Sequence, residues 1–101
     1  MDFERAKPIH VKFSLPDTIT VRQQLAYYSA CSGFEDYEKI ERWWAGARDL
    51  IEPGSWSCDV IPDPKTLELD SVTDPRITDV IIWASVQVRS HVGNLGTVPK
   101  N

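Results

Sequence analysis

The chain has 101 residues, of which 42% are hydrophobic and 26% are charged, and its formal net charge is −4. This length and composition indicate one small folded domain, residues 1–101. The acidic balance, with no basic stripe, disfavours nucleic acid as a partner, because affinity for nucleic acid comes largely from neutralising phosphates. No apolar run is long enough to span a bilayer, and the first residues lack the pattern of a secretory signal, so we expect a cytoplasmic protein with no membrane partner.

The first third of the chain predicts an arm, a strand and a helix. Residues 1–8 are mixed and charged, which predicts a loose N-terminal arm. Apolar and polar residues alternate from 9 to 15, as in a half-buried strand. Thr20 and Gln23 fit a capping box, which predicts a helix from there to about residue 32. The residues expected on its core face are Val21, Leu25, Tyr28 and Ser32.

The remainder predicts two more helices and a second strand. A helix is expected from about Glu35 to the Pro53-Gly54 pair, and residues 56–60 alternate as a strand that would pair with 9–15. Asp74 and Pro75 are expected to cap a last helix that runs to Leu95. The core face of the middle helix is expected to contain Tyr37, Ile40, Trp44, Ala47 and Ile51. The predicted order is β-α-α-β-α. This is a helix-dominated α+β fold with three helices and a minimal two-stranded β-pair, with an all-α fold as the alternative.

No group of residues in the sequence indicates catalysis. The two histidines, His10 and His91, have no nucleophile at a recognisable spacing, and no His or Cys residues stand at the spacing of metal ligands. Cys31 and Cys58 are expected to be reduced thiols that serve as small apolar residues. We therefore expect no catalytic residue, no metal and no cofactor, and a protein that is not an enzyme. The acidic segment 59–79 is expected to be a solvated loop with helix caps rather than a calcium site.

Aromatic doublets are the main indication of binding. Tyr27-Tyr28 and Trp43-Trp44 each place two large rings about 100° apart on a predicted helix, so a one-sided core cannot bury both members of a pair. Trp44 follows the core face, which leaves Tyr27 and Trp43 as the predicted surface anchors for a protein partner. The alternative is a wide helix face held between two layers of structure.

Three segments resemble the tail assembly chaperones of long-tailed bacteriophages. They are residues 15–28 (LPDTITVRQQLAYY), residues 80–84 (VIIWA) and residues 98–101 (VPKN). Proteins of this family bind the tape-measure protein and help tail-tube subunits to polymerise around it, and they are largely helical. They are commonly made in two lengths by a minus-one ribosomal slip, and the final Pro-Lys-Asn permits codons that contain a slippery heptamer.

The resemblance implies a non-enzymatic protein of phage tail morphogenesis in the host cytoplasm. Its expected partner is the tape-measure or tail-tube protein, and a homo-oligomer stays open. Two alternatives stay open. One is a different phage structural component, such as a connector or baseplate part, and the other is a small acidic inhibitor of a host defence nuclease.

Overall fold

The computed structural model describes residues 1–31 and 40–95, which form three helices and one antiparallel sheet. The helices are α1 (Val21–Cys31), α2 (Ile40–Leu50) and α3 (Pro75–Leu95). The strands are β1 (Asp2–Arg5), β2 (Val11–Ser14) and β3 (Ser57–Cys58), in the sheet order β1-β2-β3. The helix-dominated α+β fold is therefore confirmed. The predicted start of the second helix and the expected roles of Ser32 and Tyr37 lie outside the described residues.

The sheet contains the predicted strand pair and one strand more. β2 pairs with β3, with Val11 opposite Cys58. β1 pairs along the other edge of β2, where Phe3 lies opposite Phe13 and the two rings stack with centroids 5.4 Å apart. The prediction of a loose arm over residues 1–8 is therefore wrong, because Asp2–Arg5 are an integral strand.

Long-range contacts hold β1 against the rest of the domain. The Arg5 guanidinium donates a hydrogen bond of 2.6 Å from Nη2 to Oδ2 of Asp79 and lies 5.3 Å from the ring centroid of Trp83, both on α3. At the start of the strand, the amine of Met1 donates hydrogen bonds of 2.8 Å to the carbonyl of Leu15 and to the carboxylate of Asp17. These partners are distant in sequence, so local alternation in residues 1–8 could not reveal them.

The starts of α1 and α3 form as the sequence predicts. The amide of Gln23 donates to Oγ1 of Thr20 at 3.1 Å, and the amide of Thr20 donates to Oε1 of Gln23 at 2.8 Å, which completes the capping box of α1. At α3, the amide of Arg76 donates to Oδ1 of Asp74 at 3.0 Å, and Pro75 takes the first helical position, where no N–H is required. Both helices therefore begin with their free N–H groups partly satisfied.

The middle helix, α2, packs against both α1 and α3. This position explains why both members of its tryptophan doublet are buried: Trp43 is 0% exposed and Trp44 is 1% exposed. An aromatic cluster joins α2 to the sheet, since the Trp56 ring lies 6.1 Å from Trp44 and 5.8 Å from Phe13. The core is thus continuous from the sheet through α2.

Candidate binding surfaces

The two residues predicted as surface anchors lie in the core. Trp43 is 0% exposed and Tyr27 is 2% exposed, so the prediction that they contact a partner directly is wrong. The alternative, a wide helix face held between two layers, describes Trp43 and Trp44 on α2 correctly. The prediction that Trp44 is a core residue is confirmed.

A glycine on α2 allows the ring of Tyr27 to enter the interior. A Cβ atom built on Gly46 would lie 3.0 Å from Cδ1 of Tyr27, closer than ordinary van der Waals contact. The missing side chain therefore provides the space into which the tyrosine packs. Tyr27 and Cys31 of α1 face the core, whereas Val21 and Leu25 face outward.

Arg89 of α3 lies beside this buried group. Its guanidinium carbon is 4.4 Å from the ring centroid of Trp43, which is a cation–π contact. The Tyr27 hydroxyl and the Cys31 thiol, one helical turn apart, interact with each other. Burial raises the pKa of the Cys31 thiol, although Tyr27 and Arg89 both act in the opposite direction. A thiol that stays protonated near neutral pH is a poor nucleophile, so this cluster is suited to packing rather than to covalent catalysis.

The outer face of α1 is the most exposed aliphatic surface in the described part of the chain. Val21 is 71% exposed and Leu25, one turn later, is 62% exposed. Arg22 is the only charged residue of this helix. Single exposed aliphatic residues are ordinary, but two on one face of a nearly uncharged helix resemble the centre of a protein interface, where charged residues are depleted.

Sequence reasoning placed Val21 and Leu25 on the core face and so missed them as binding candidates. Their spacing correctly predicted that the two residues share one face of the helix, but not that this face points to solvent. The sequence signal for a binding surface was the scarcity of charged residues along α1. A helix face that is always exposed to solvent usually carries more of them.

A second apolar surface is a groove between the start of α2 and the start of α3. It has a volume of about 520 Å³. Its apolar walls come from Ile40, Leu69, Val72, Ile77 and Ile81, and its acidic residues are Glu41, Asp70 and Asp74. Along α3 the surface continues through Ile82 and Val86, which are 42% and 40% exposed. We call the groove together with Ile82 and Val86 the acidic groove.

The histidines and cysteines occupy structural positions. Nε2 of His91 lies 2.8 Å from the carbonyl of Pro16, and Nε2 of His10 lies 3.1 Å from a carboxylate oxygen of Glu4. Cys31 and Cys58 are free thiols, as predicted. Within residues 1–31 and 40–95, no three His, Cys, Asp or Glu side chains are placed to hold a metal ion. None of the helices in the same residues is long and apolar enough to cross a membrane.

Comparisons of the chain with protein-family models, with curated proteins and with solved structures each find no match.

Proposed function

We propose that the protein is a non-enzymatic chaperone of phage tail assembly, which binds an apolar helix of the tape-measure protein through the outer face of α1. The observation that carries this proposal is the exposure of Val21 and Leu25, at 71% and 62%, on a helix with one charged residue. A surface of this kind has more to gain from a partner than from water, since burying one aliphatic side chain is worth about 1.5–3 kcal/mol.

Two further features support a shielding role. The segment that carries most of the resemblance, residues 15–28, contains the capping box and the first two turns of α1. A chaperone must also release its client, and a narrow surface of a few aliphatic side chains permits a reversible complex. In this account α1 covers apolar helices of the tape measure in the host cytoplasm until tail-tube subunits replace it.

The test is capture of tape-measure fragments by the purified chain and by a double variant, Val21→Ser with Leu25→Ser. Both side chains are largely in water, so the variant should fold, with its thermal midpoint within a few degrees of the unchanged chain. Capture should fall by about thirtyfold or more, the size expected when an interface loses a hot spot of about 2 kcal/mol.

The matched control is Ile82→Ser with Val86→Ser on α3, which removes the same kind of side chain from the acidic groove and so tells the two candidate surfaces apart. This control should capture the fragments nearly as well as the unchanged chain. If the Val21→Ser with Leu25→Ser variant captures the fragments as tightly as the unchanged chain, α1 does not form the binding surface, whatever the α3 variant does.

The composition of the finished virion distinguishes a chaperone from a structural component. A chaperone is used during assembly and should be missing from purified particles when their proteins are identified by mass spectrometry. A connector or baseplate part would be found there in a fixed ratio to the tail-tube subunit.

A further inference from the structure

The acidic groove combines an apolar floor with carboxylates at its rim. Three exposed or half-exposed acidic residues line the groove: Glu41, Asp70 and Asp74. No lysine or arginine is among the described residues that line it. Only Asp74 has its charge balanced locally, by the Arg76 guanidinium at 2.7 Å. No ion pair joins Glu41 or Asp70 to a described residue.

The shape of the surface favours a helical partner. Residues 78, 82 and 86 lie one turn apart along one side of α3, and the first of them, Thr78, lines the groove. The half-exposed Ile82 and Val86 therefore extend the apolar surface along α3 by about 12 Å beyond Thr78. Grooves of this kind bind the apolar face of an amphipathic helix, whose anchoring residues recur every three or four positions.

The charges determine which helices would fit. Glu41 and Asp70 form no ion pair with a described residue, and the net charge of the chain is −4. These charges repel nucleic acid, anionic lipid and acidic peptides, and they attract lysine and arginine. A second copy of the chain carries the same net negative charge and is a poorer match. We propose that the acidic groove binds an amphipathic helical segment of another protein that has basic residues beside its apolar face. This site is separate from the outer face of α1 and does not depend on the proposed function.

The experiment uses two synthetic helical peptides of about four turns with the same leucine positions. One carries lysines beside the leucines and the other carries glutamates at the same positions. Each is titrated into the isotopically labelled chain, and amide resonances are followed by NMR. The lysine peptide should shift the amides of Thr73, Thr78 and Ile81, and the glutamate peptide should bind at least about tenfold more weakly.

Two variants separate the charge from the apolar surface. Glu41→Gln with Asp70→Asn should weaken the affinity for the lysine peptide by about two- to thirtyfold, since each exposed ion pair contributes about 0.2–1 kcal/mol. The same variant should make the affinity depend less on salt concentration. Asp49→Asn is the matched control, because this exposed acid is on α2 but lines a different pocket, beside α1. Ile82→Ser should weaken the affinity for both peptides. If this variant fails to fold, the charge variants still test the proposal.

The proposal is overturned if neither peptide shifts the amides at the groove, or if both peptides bind with equal affinity. Shifts confined to residues 21–31 would also overturn it, because they would place the peptide on α1. Resonances at the groove that change with protein concentration alone would identify a second copy as the occupant and would likewise contradict it. None of these results bears on capture of tape-measure fragments by α1, so the two proposals can fail separately.

Discussion

The tryptophan doublet of α2 gives the sharpest test of how the fold is stabilised. Trp43 and Trp44 are both buried, so replacing either with alanine should lower the free energy of unfolding by about 3–5 kcal/mol. A small domain has only about 5–15 kcal/mol in total, so each variant should be severely destabilised or unfolded. The assay is urea unfolding followed by circular dichroism.

Replacement by phenylalanine separates packing from polar effects. Both changes remove the same atoms, but the two indole groups differ in their surroundings. The indole N–H of Trp44 is buried, with no hydrogen-bond partner among the described residues, whereas the Trp43 ring lies under the Arg89 guanidinium. An unpaired buried N–H costs about 1–3 kcal/mol, and Trp44→Phe removes that cost. Trp43→Phe instead weakens a cation–π contact worth about 0.5–2 kcal/mol.

Trp44→Phe should therefore lower the free energy of unfolding less than Trp43→Phe, by about 1–3 kcal/mol. In a thermal melt this corresponds to a midpoint at least about 4 °C higher for the Trp44 variant. Equal losses, or a larger loss for Trp44→Phe, would show that the Trp44 N–H is satisfied and would refute the reasoning. A Trp43→Ala variant that melts like the unchanged chain would contradict the burial of Trp43 itself.

The remaining predictions concern a close helix contact and an exposed ion pair. The methyl group of Gly93→Ala meets nothing within 4 Å, so this variant should raise the free energy of unfolding by up to about 1 kcal/mol. The methyl group of Gly46→Ala presses on Tyr27, so this variant should be less stable than Gly93→Ala by about 1–3 kcal/mol. Equal effects of the two variants in urea unfolding would contradict the contact between Gly46 and Tyr27. The hydrogen bond between the Met1 amine and Asp17 lowers the pKa of the carboxyl and raises the pKa of the amine. Its stabilisation is therefore present between about pH 4 and pH 8, and is lost as pH falls through the lowered carboxyl pKa or rises through the raised amine pKa. In thermal melts across pH, Asp17→Asn should flatten both limbs of the profile, and an unchanged profile would contradict this.

The starts of α1 and α3 were predictable because their signals are local. The capping pairs Thr20–Gln23 and Asp74–Pro75 lie within a few residues of the helices that they start, and both form as expected. α3 has 21 residues, and a helix of that length gives a strong periodic signal in the sequence.

The inward face of α1 was not predictable because the residues that it packs on, Gly46 among them, lie on another helix. Two stripes compete on this helix, one with Val21 and Leu25 and one with Tyr27 and Cys31, and the aliphatic pair is the stronger local signal. In the structure the tyrosine ring packs on Gly46 of α2, a contact that no local pattern in α1 reveals. For the same reason the binding prediction failed: Tyr27 was assigned to the surface, and Val21 and Leu25 to the core.

Strand β1 shows a similar limit. It has four residues and only Phe3 is apolar, so alternation gives almost no signal. Its place in the sheet comes from pairing with β2 and from the ion pair between Arg5 and Asp79, 74 residues away in sequence. Short edge strands of this kind become visible only when the rest of the fold is known.

Hydrogen exchange of the chain, alone and saturated with a captured tape-measure fragment, tests the central claim most directly. If the outer face of α1 binds the fragment, the amides of Val21–Cys31 should exchange more slowly in the complex, and Val21→Ser with Leu25→Ser should reduce that protection at the same fragment concentration. Protection elsewhere with unchanged exchange in α1 would contradict the account.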